Sequence, residues 1–588
     1  MFRSRLTKAR RRRFAAMLGT LCVAAGVVTG APAPATADAV DISTSTFTAP
    51  DGKTYTATNH IVQDRRGHGI RKEWLLVWAG SEKSTGSRQD PDFLAVIDAT
   101  KHSPTYGKVV NTVTMGPDTQ TEPHHMQYIW HKGDKIYAGA MFTSTTFVFD
   151  ATKLPRLSLA GVAPPSQTPC GSVPDAYWVL KDGTAYGTYM GGPSVSGPCT
   201  YTNGEVRVGN GFGGSPGEIV RFGPDGRTLA EIPVARPTSE GATCKNNPAM
   251  AVKTCANPHG IQVREDLNRM VTADFLEVRE ILGPPGPPTG DPDDYLFSRD
   301  TVRIFDISQR NNPSLVSLSR LPNGPRQEPL PLVDEPYGAM ETTVTNRPEH
   351  KGAFVSTMGG GVIYYTPDIT DPNPVWREVF DDTTAFKKIF PTNTPTAGAD
   401  GGSWLQTSPD DRYLYHTVRA GGLFSPGEAL TGMVYVLDIQ KLVAAGKDTR
   451  CSIDTIEEVT QGGAEPDCPA VLGILPIRDT TNDGGGGPHW GALDNFRLGW
   501  DGYYHETTQP KRLVVANYFV AAASQDGNHK VCMVDIGHHG RLSLDTSFSD
   551  GRHDGTCVNF NRNRWPHGAT SYARPHGVLF AVADKDVR

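Results

Sequence analysis

The chain has 588 residues, with 63 Gly, 46 Pro and 20% charged residues. Gly and Pro are too frequent for a helical bundle and lack the three-residue period of collagen, while 38% hydrophobic content supports a sizeable core and argues against global disorder. Residues 1–37 hold seven of the 57 Lys and Arg and no acid, so 50 basic residues face 63 Asp and Glu beyond them, a net of about −13 that repels phosphate backbones and argues against a nucleic-acid partner.

Residues 1–37 read as an export signal. Arg10 to Arg13 lead into an apolar stretch from Phe14 to Val28, and Ala35-Thr36-Ala37 is a small-x-small cleavage site. Arg11, Arg12 and Phe14 spell the start of a twin-arginine signal, with an ordinary Arg-rich secretion signal as the alternative. No later apolar run approaches the length of a membrane span, so the expected product is secreted. Residues 38–72 form an N-terminal extension, and residues 73–588 form the body.

The body repeats one phrase, a short β-branched or aromatic run that ends at a turn residue. Examples are Asp92–Asp98, Thr146–Asp150, Thr301–Asp306, Gly361–Tyr365, Met433–Asp438 and Val531–Asp535. Hairpin signals such as Lys181-Asp182-Gly183 and Pro224-Asp225-Gly226 lie between them. Helical periodicity is confined to Ile439–Ala445. The phrases divide the chain into units near 124–150, 176–223, 257–306, 338–366, 402–438 and 489–536. A seventh joins 565–584 to the early strands at 73–98 and pairs the two chain ends. Seven radial units predict an all-β, seven-bladed β-propeller, which hides its strand edges by closing a ring. Two or three separate β-sandwiches are the alternative, and the absence of a long low-complexity linker counts against them. Gly283–Asp294 and Thr481–Gly487 read as exposed loops.

Eight cysteines remain after Cys22 leaves with the signal. Their neighbours in sequence suggest disulfides Cys170/Cys199, Cys244/Cys255, Cys451/Cys468 and Cys532/Cys557, one of 105 connectivities open to eight thiols. None has the Cys-x-x-Cys spacing of a zinc or redox site.

Histidine follows proline at Pro123-His124-His125, Pro258-His259-Gly260, Pro488-His489-Trp490, Pro566-His567-Gly568 and Pro575-His576-Gly577. Four of these five phrases open an innermost strand, which in a propeller lines the central channel. The predicted metal ligands are therefore His124, His125, His259, His489 and His567, with His576 in reserve. Strand alternation points one ring of the His124/His125 pair inward, and His125 is the preferred one. Imidazoles without thiolate suit copper, with iron as the alternative. A Pro-His-Gly turn with no metal is the structural alternative for each phrase. Glu341 opens the inner strand of a fifth blade and is the candidate catalytic carboxylate, placed to orient a ligand; Asp494 is a weaker candidate. Trp490, Trp404 and Tyr128 are candidates for the pocket wall. No phosphate loop or His-Glu-x-x-His motif is present in the sequence.

Asp92–Met115 (DFLAVIDATKHSPTYGKVVNTVTM), followed by His124-His125, resembles the selenium-binding protein/methanethiol oxidase family. That family has a strand ending in Asp, then Ser-Pro-x-Tyr-x-x-Val, then a His-His pair. Ser408–Tyr415, the stretch around Glu341, Gly486–His489 and a C-terminal His echo it in the same order. The resemblance implies a seven-bladed propeller with copper, in which His124, His125 and His567 match family histidines. It also implies oxidation of methanethiol by O₂ and water to formaldehyde, hydrogen sulfide and hydrogen peroxide, or, in members without that activity, selenium or ligand binding. The sequence departs from the family at Cys170–Trp178, where the family's histidines are missing, and at His259 and His489, where the family tends to carry other residues. Several channel histidines with a carboxylate also make the arrangement similar to carotenoid-cleavage oxygenases, seven-bladed Fe(II) enzymes. The expected partners are thus a small-molecule substrate and O₂.

Overall fold

A computed structural model describes residues 39–63, 70–81, 90–119, 121–193, 197–209, 211–235, 256–279, 298–326, 335–359, 361–382, 401–419, 432–461, 463, 465–477, 487–517, 528–552 and 555–588. The export signal, Cys244/Cys255, Gly283–Asp294 and most of Thr481–Gly487 lie outside the described residues.

The described residues form a seven-bladed propeller of antiparallel sheets. Blade 1 joins the chain ends. Its inner strand is Ala573–Val582, followed outward by Glu73–Ser81, Phe93–Asp98 and Val109–Gly116. The hairpin Val40–Thr48/Thr54–Val62 then extends the same sheet, so the segment before residue 73 is partly a continuation of blade 1. Blades 2 to 7 follow in chain order. Their inner strands are Pro123–Met126, Ser172–Val179, Pro258–Arg264, Ala339–Val344, Gly402–Thr407 and Trp490–Leu493.

The recurrent phrase has a fixed place. All six examples fall on the third strand out from the axis. That strand is covered on both faces by neighbouring blades, which is why it reads as a continuous apolar run rather than an alternating one. Where the phrase ends in Asp, that Asp caps the turn to the fourth strand. Asp98 accepts from the Thr100 N–H at 2.9 Å, Asp150 from Thr152 at 2.9 Å and Asp306 from Ser308 at 2.8 Å. Between blades 1 and 2, Trp78 meets Phe147 and Phe149 edge-on and donates its indole N–H to Gly139 O at 2.6 Å. The segment Ile439–Ala445 contains a short helix, Gln440–Ala445. Disulfides join Cys170–Cys199, Cys451–Cys468 and Cys532–Cys557. No helix of the described residues is long and apolar enough to cross a membrane.

Candidate metal centre on the channel axis

Each blade sends one or two polar side chains to the axis from the start of its inner strand. These are His576 from blade 1, His124 and His125 from blade 2, Asp175 from blade 3, His259 from blade 4, Glu341 from blade 5 and Ser403 from blade 6; blade 7 contributes His489 from the residue before its inner strand. All are buried.

A backbone irregularity aims them. Pairing of the inner with the second strand shifts between Pro123 and Met126, Pro174 and Tyr177, Pro258 and Ile261, Ala339 and Thr342, and Gly402 and Leu405. In blade 1 the shift falls between the pairs Trp78/Gly577 and Ala79/Pro575. The site residues of six blades therefore sit in β-bulges, which break the two-residue alternation and turn side chains toward the channel. The expectation that one ring of His124/His125 points inward is corrected by this feature. Both rings face the site, with centroids 4.2 Å apart, because the bulge removes the alternation on which the expectation rested.

Glycine after histidine has a packing reason. A Cβ at Gly260 would lie 2.7 Å from Thr342 N and 2.8 Å from Glu341 Cα, on the inner strand of the next blade. At Gly577 it would lie 3.0 Å from His124 O. The inner strand of the next blade crowds a side chain at these two positions.

Asp175 is the hub of one half of the site. Its Oδ1 lies 2.8 Å from His124 Nε2 and 3.0 Å from His125 Nδ1, and its Oδ2 lies 3.1 Å from His259 Nδ1. Glu341 Oε1 is 2.9 Å from the same His259 nitrogen and 4.0 Å from His125 Nδ1. Tyr128 donates its hydroxyl proton to Glu341 Oε2 and accepts the Ile261 N–H at 3.2 Å. In the other half, His125 Nε2 and His489 Nε2 are 3.0 Å apart. Ser403 Oγ is 2.7 Å from His489 Nδ1 and 3.8 Å from Met340 Sδ, so it can accept the imidazole proton and donate to the thioether. His576 packs between them, 4.8 Å from both the His125 and His489 ring centroids. Trp490 stacks on His125 at 3.9 Å, which makes it a wall of the site.

The charge states follow from burial. Desolvation, and then neighbouring imidazoles, holds His125, His489 and His576 well below the usual histidine range, so they are neutral. Burial also lowers His124, against the pull of Asp175. His259 is the exception. Burial pushes it down, but Asp175 and Glu341 outweigh that and leave it raised. Burial raises Glu341, with His259 opposing.

Nitrogen or oxygen donors of His124, His125, Asp175 and His259 lie within 4.8 Å of one another, and so do those of His125, His489 and His576. Thus His124, His125, His259, His489 and Glu341 are brought together as the sequence suggested. His567 is not with them. It lies on a small hairpin, Arg564–Trp565/Gly568–Ala569, packs on Phe93 at 4.9 Å and bonds Thr112 Oγ1 at 2.9 Å. The last Pro-His phrase, at His576, opens the inner strand instead. Asp494 also lies apart, accepting from Arg512 Nε at 2.5 Å. Asp175 and Ser403 escaped sequence reading. Pro174-Asp175 did carry a signal, because proline precedes the site residue there as it does at His124, His259, His489 and His576.

No family model matches the chain, and no curated protein matches it. Among solved structures it is similar to a hypothetical selenium-binding protein from Sulfolobus tokodaii, with a TM-score of 0.54 and 14% identity over 87% of this chain and 94% of that one. A protein from Lactobacillus plantarum aligns with a TM-score of 0.43 and 12% identity, over 87% of this chain and 99% of that one. A functionally unknown protein from Desulfotomaculum acetoxidans aligns with a TM-score of 0.41 and 11% identity, over 80% and 98%. The likeness to the Sulfolobus protein is one of fold, a β-propeller architecture shared along nearly its whole length.

Proposed function

We propose that the channel holds one transition-metal ion, copper in the first place, and that the protein is an exported oxidase of a small neutral molecule such as methanethiol. The observation that carries this reading is the 3.0 Å approach of His125 Nε2 to His489 Nε2. Ser403 Oγ bonds His489 Nδ1 and Asp175 Oδ1 lies 3.0 Å from His125 Nδ1; with a proton on each Nδ1, both Nε2 lone pairs are directed at the same point. In one tautomer the pair is an Nε2–H···Nε2 hydrogen bond; with both protons on Nδ1 the two lone pairs converge on a point that a cation can occupy. Two nitrogens that share an ion at about 2 Å each come about 3 Å apart.

His125, His489 and His576 would hold the ion. Asp175 orients His124, His125 and His259 together, and Glu341 secures His259. Imidazole donors without thiolate suit copper or Fe(II). Bound copper would supply the one-electron chemistry that O₂ requires. The substrate loses two electrons and two protons, and O₂ leaves as hydrogen peroxide; with methanethiol and water the carbon leaves as formaldehyde and the sulfur as hydrogen sulfide. Tyr128 bonds Glu341, whose other oxygen lies 2.9 Å from His259 Nδ1, which gathers three proton-carrying groups at the site. Met141, Met190, Met340 and Met358 form a buried apolar cluster with Phe275, whose ring meets His259 at 4.9 Å. Such a wall favours an uncharged substrate. The disulfides suit an oxidising compartment.

Metal analysis of protein purified without added metal or a His-containing tag tests the reading. About one copper per chain, with peroxide released on addition of methanethiol, is the expected result. One iron without peroxide would move the site to dioxygenase chemistry. No metal, even after reconstitution with copper, would end the reading and leave a ligand-binding scaffold.

A further inference from the structure

Away from the axial histidines, blade 5 buries a second cluster of ligating groups. Glu378 and Asp381 lie on its outer strand, Arg377–Asp381, and Glu335 precedes its inner strand. One oxygen of each lies within 4.8 Å of the others. Among the described residues the cation facing them is Arg326, whose Nε is 3.2 Å from Glu335 Oε1 and 2.8 Å from Asp381 Oδ2. Its backbone N–H also donates to Glu335 Oε1, at 3.1 Å. Among the described residues, three carboxylates thus face this one guanidinium.

Glu378 is the informative member. It is 3% exposed, and neither carboxylate oxygen has a hydrogen-bond partner. Its Oε2 nevertheless converges with Glu335 Oε2. A Cβ on Gly324 would lie 2.1 Å from the first and 2.0 Å from the second, so glycine is what lets the two oxygens share that space. A buried, unpaired carboxylate is costly, and one aimed at other carboxylates more so. Two occupants relieve it, a proton or a cation. Without a cation, burial first and then Asp381 and Glu335 drive Glu378 well above the usual carboxylate range.

We propose that Glu335, Glu378 and Asp381 bind a divalent hard cation, Ca²⁺ in the first place. The donors are all oxygen, which disfavours copper and zinc and suits a hard divalent ion. The ion would tie the outer strand of blade 5 to the segment leaving blade 4. It would also brace the disulfide-closed stretch 451–468, whose Ile453 N–H donates to Glu378 O at 3.0 Å. The site is separate in place and chemistry from the axial histidines, so it stands whether or not they bind copper.

The test uses the full exported chain, treated with EGTA and dialysed to equilibrium against radioactive Ca²⁺ up to about 1 mM. About one Ca²⁺ bound per chain is expected in the wild type, together with a Ca²⁺-dependent rise in Tm. Glu378→Gln keeps the shape and mimics the protonated acid, and should weaken Ca²⁺ binding at least ~10-fold. No saturable Ca²⁺ binding by the wild type, or equal binding by Glu378→Gln, would overturn the proposal and leave the proton as occupant. If that variant does not fold, Asp381→Asn is read in the same way, and the wild-type stoichiometry decides by itself.

Discussion

His125 Nε2 and His489 Nε2 face each other at 3.0 Å across the channel, one from blade 2 and one from the residue before the inner strand of blade 7. The two residues are far apart in the chain and meet because both blades begin their inner strands at the same height on the axis. Ser403 Oγ bonds His489 Nδ1 from behind, and Asp175 Oδ1 lies 3.0 Å behind His125 Nδ1.

The first prediction separates the two C-terminal histidines. His576→Ala should lower metal retention at least ~10-fold, because it removes a ring that touches both His125 and His489. His567→Ala should retain metal like the wild type, since its ring lies against Phe93 and Thr112. Elemental analysis of both variants after dialysis checks this. Equal retention by the two would remove His576 from the ligand set.

Asp175→Asn tests the hub. The amide keeps the volume but removes the negative charge that lies against three imidazoles. Metal affinity should fall about 10–100-fold, the usual range for a residue that orients ligands. A chelator competition at fixed pH gives the number, and an unchanged affinity would show that Asp175 does not set the ring orientations.

Gly260→Ala should destabilise the fold by about 1–3 kcal/mol, because the new methyl meets backbone of the adjacent inner strand, and Gly577→Ala by less, because its closest neighbour is the flexible Met126 side chain. Backbone cannot rotate aside as a side chain can. Thermal unfolding followed by circular dichroism reads the effect as a lowered Tm. A Tm equal to that of the wild type would mean that the blades have slack at the axis.

A pH effect is expected away from the metal centre. Glu231 accepts from the Cys170 N–H at 2.8 Å, and burial raises its carboxyl to about 7. Its neighbour Glu218 is raised well above the usual range, by burial first and then by Glu231. A carboxyl raised on folding binds its proton more tightly in the native state. Its contribution to stability is therefore complete below the unfolded value, near 4.5, and is lost as pH rises toward about 7. Glu231→Gln should flatten Tm between those limits. A wild-type Tm that stays constant across that window, or a Glu231→Gln variant with the same slope as the wild type, would count against it.

How much was legible follows from where each signal comes from. The third-strand phrases were readable because a strand buried on both faces must be apolar and an Asp at its end satisfies turn N–H groups; both demands are local. The Pro-His phrases were readable too, but their meaning was not uniform. Gly260 and Gly577 follow histidine because the next blade presses on them, whereas Gly568 follows His567 in an open turn, with φ +121° and no atom within 4 Å of where a methyl would sit. The same three letters thus serve two structural purposes. Asp175 was missed because an axial carboxylate shares with the histidines only the proline before it.

Sequence alone determined the class of fold, the count of repeating units and the strand starts at which polar residues gather, since these rest on periodicity, turn chemistry and composition. Tertiary structure decided that His124 and His125 both face the axis, that His576 rather than His567 joins them, and that Asp175 stands among three imidazoles. The reason is strand pairing. A bulge exists only between partners, and the partner of Ala573–Val582 is Glu73–Ser81, at the other end of the chain. Side-chain direction at the axis is therefore a property of the closed ring rather than of any one segment.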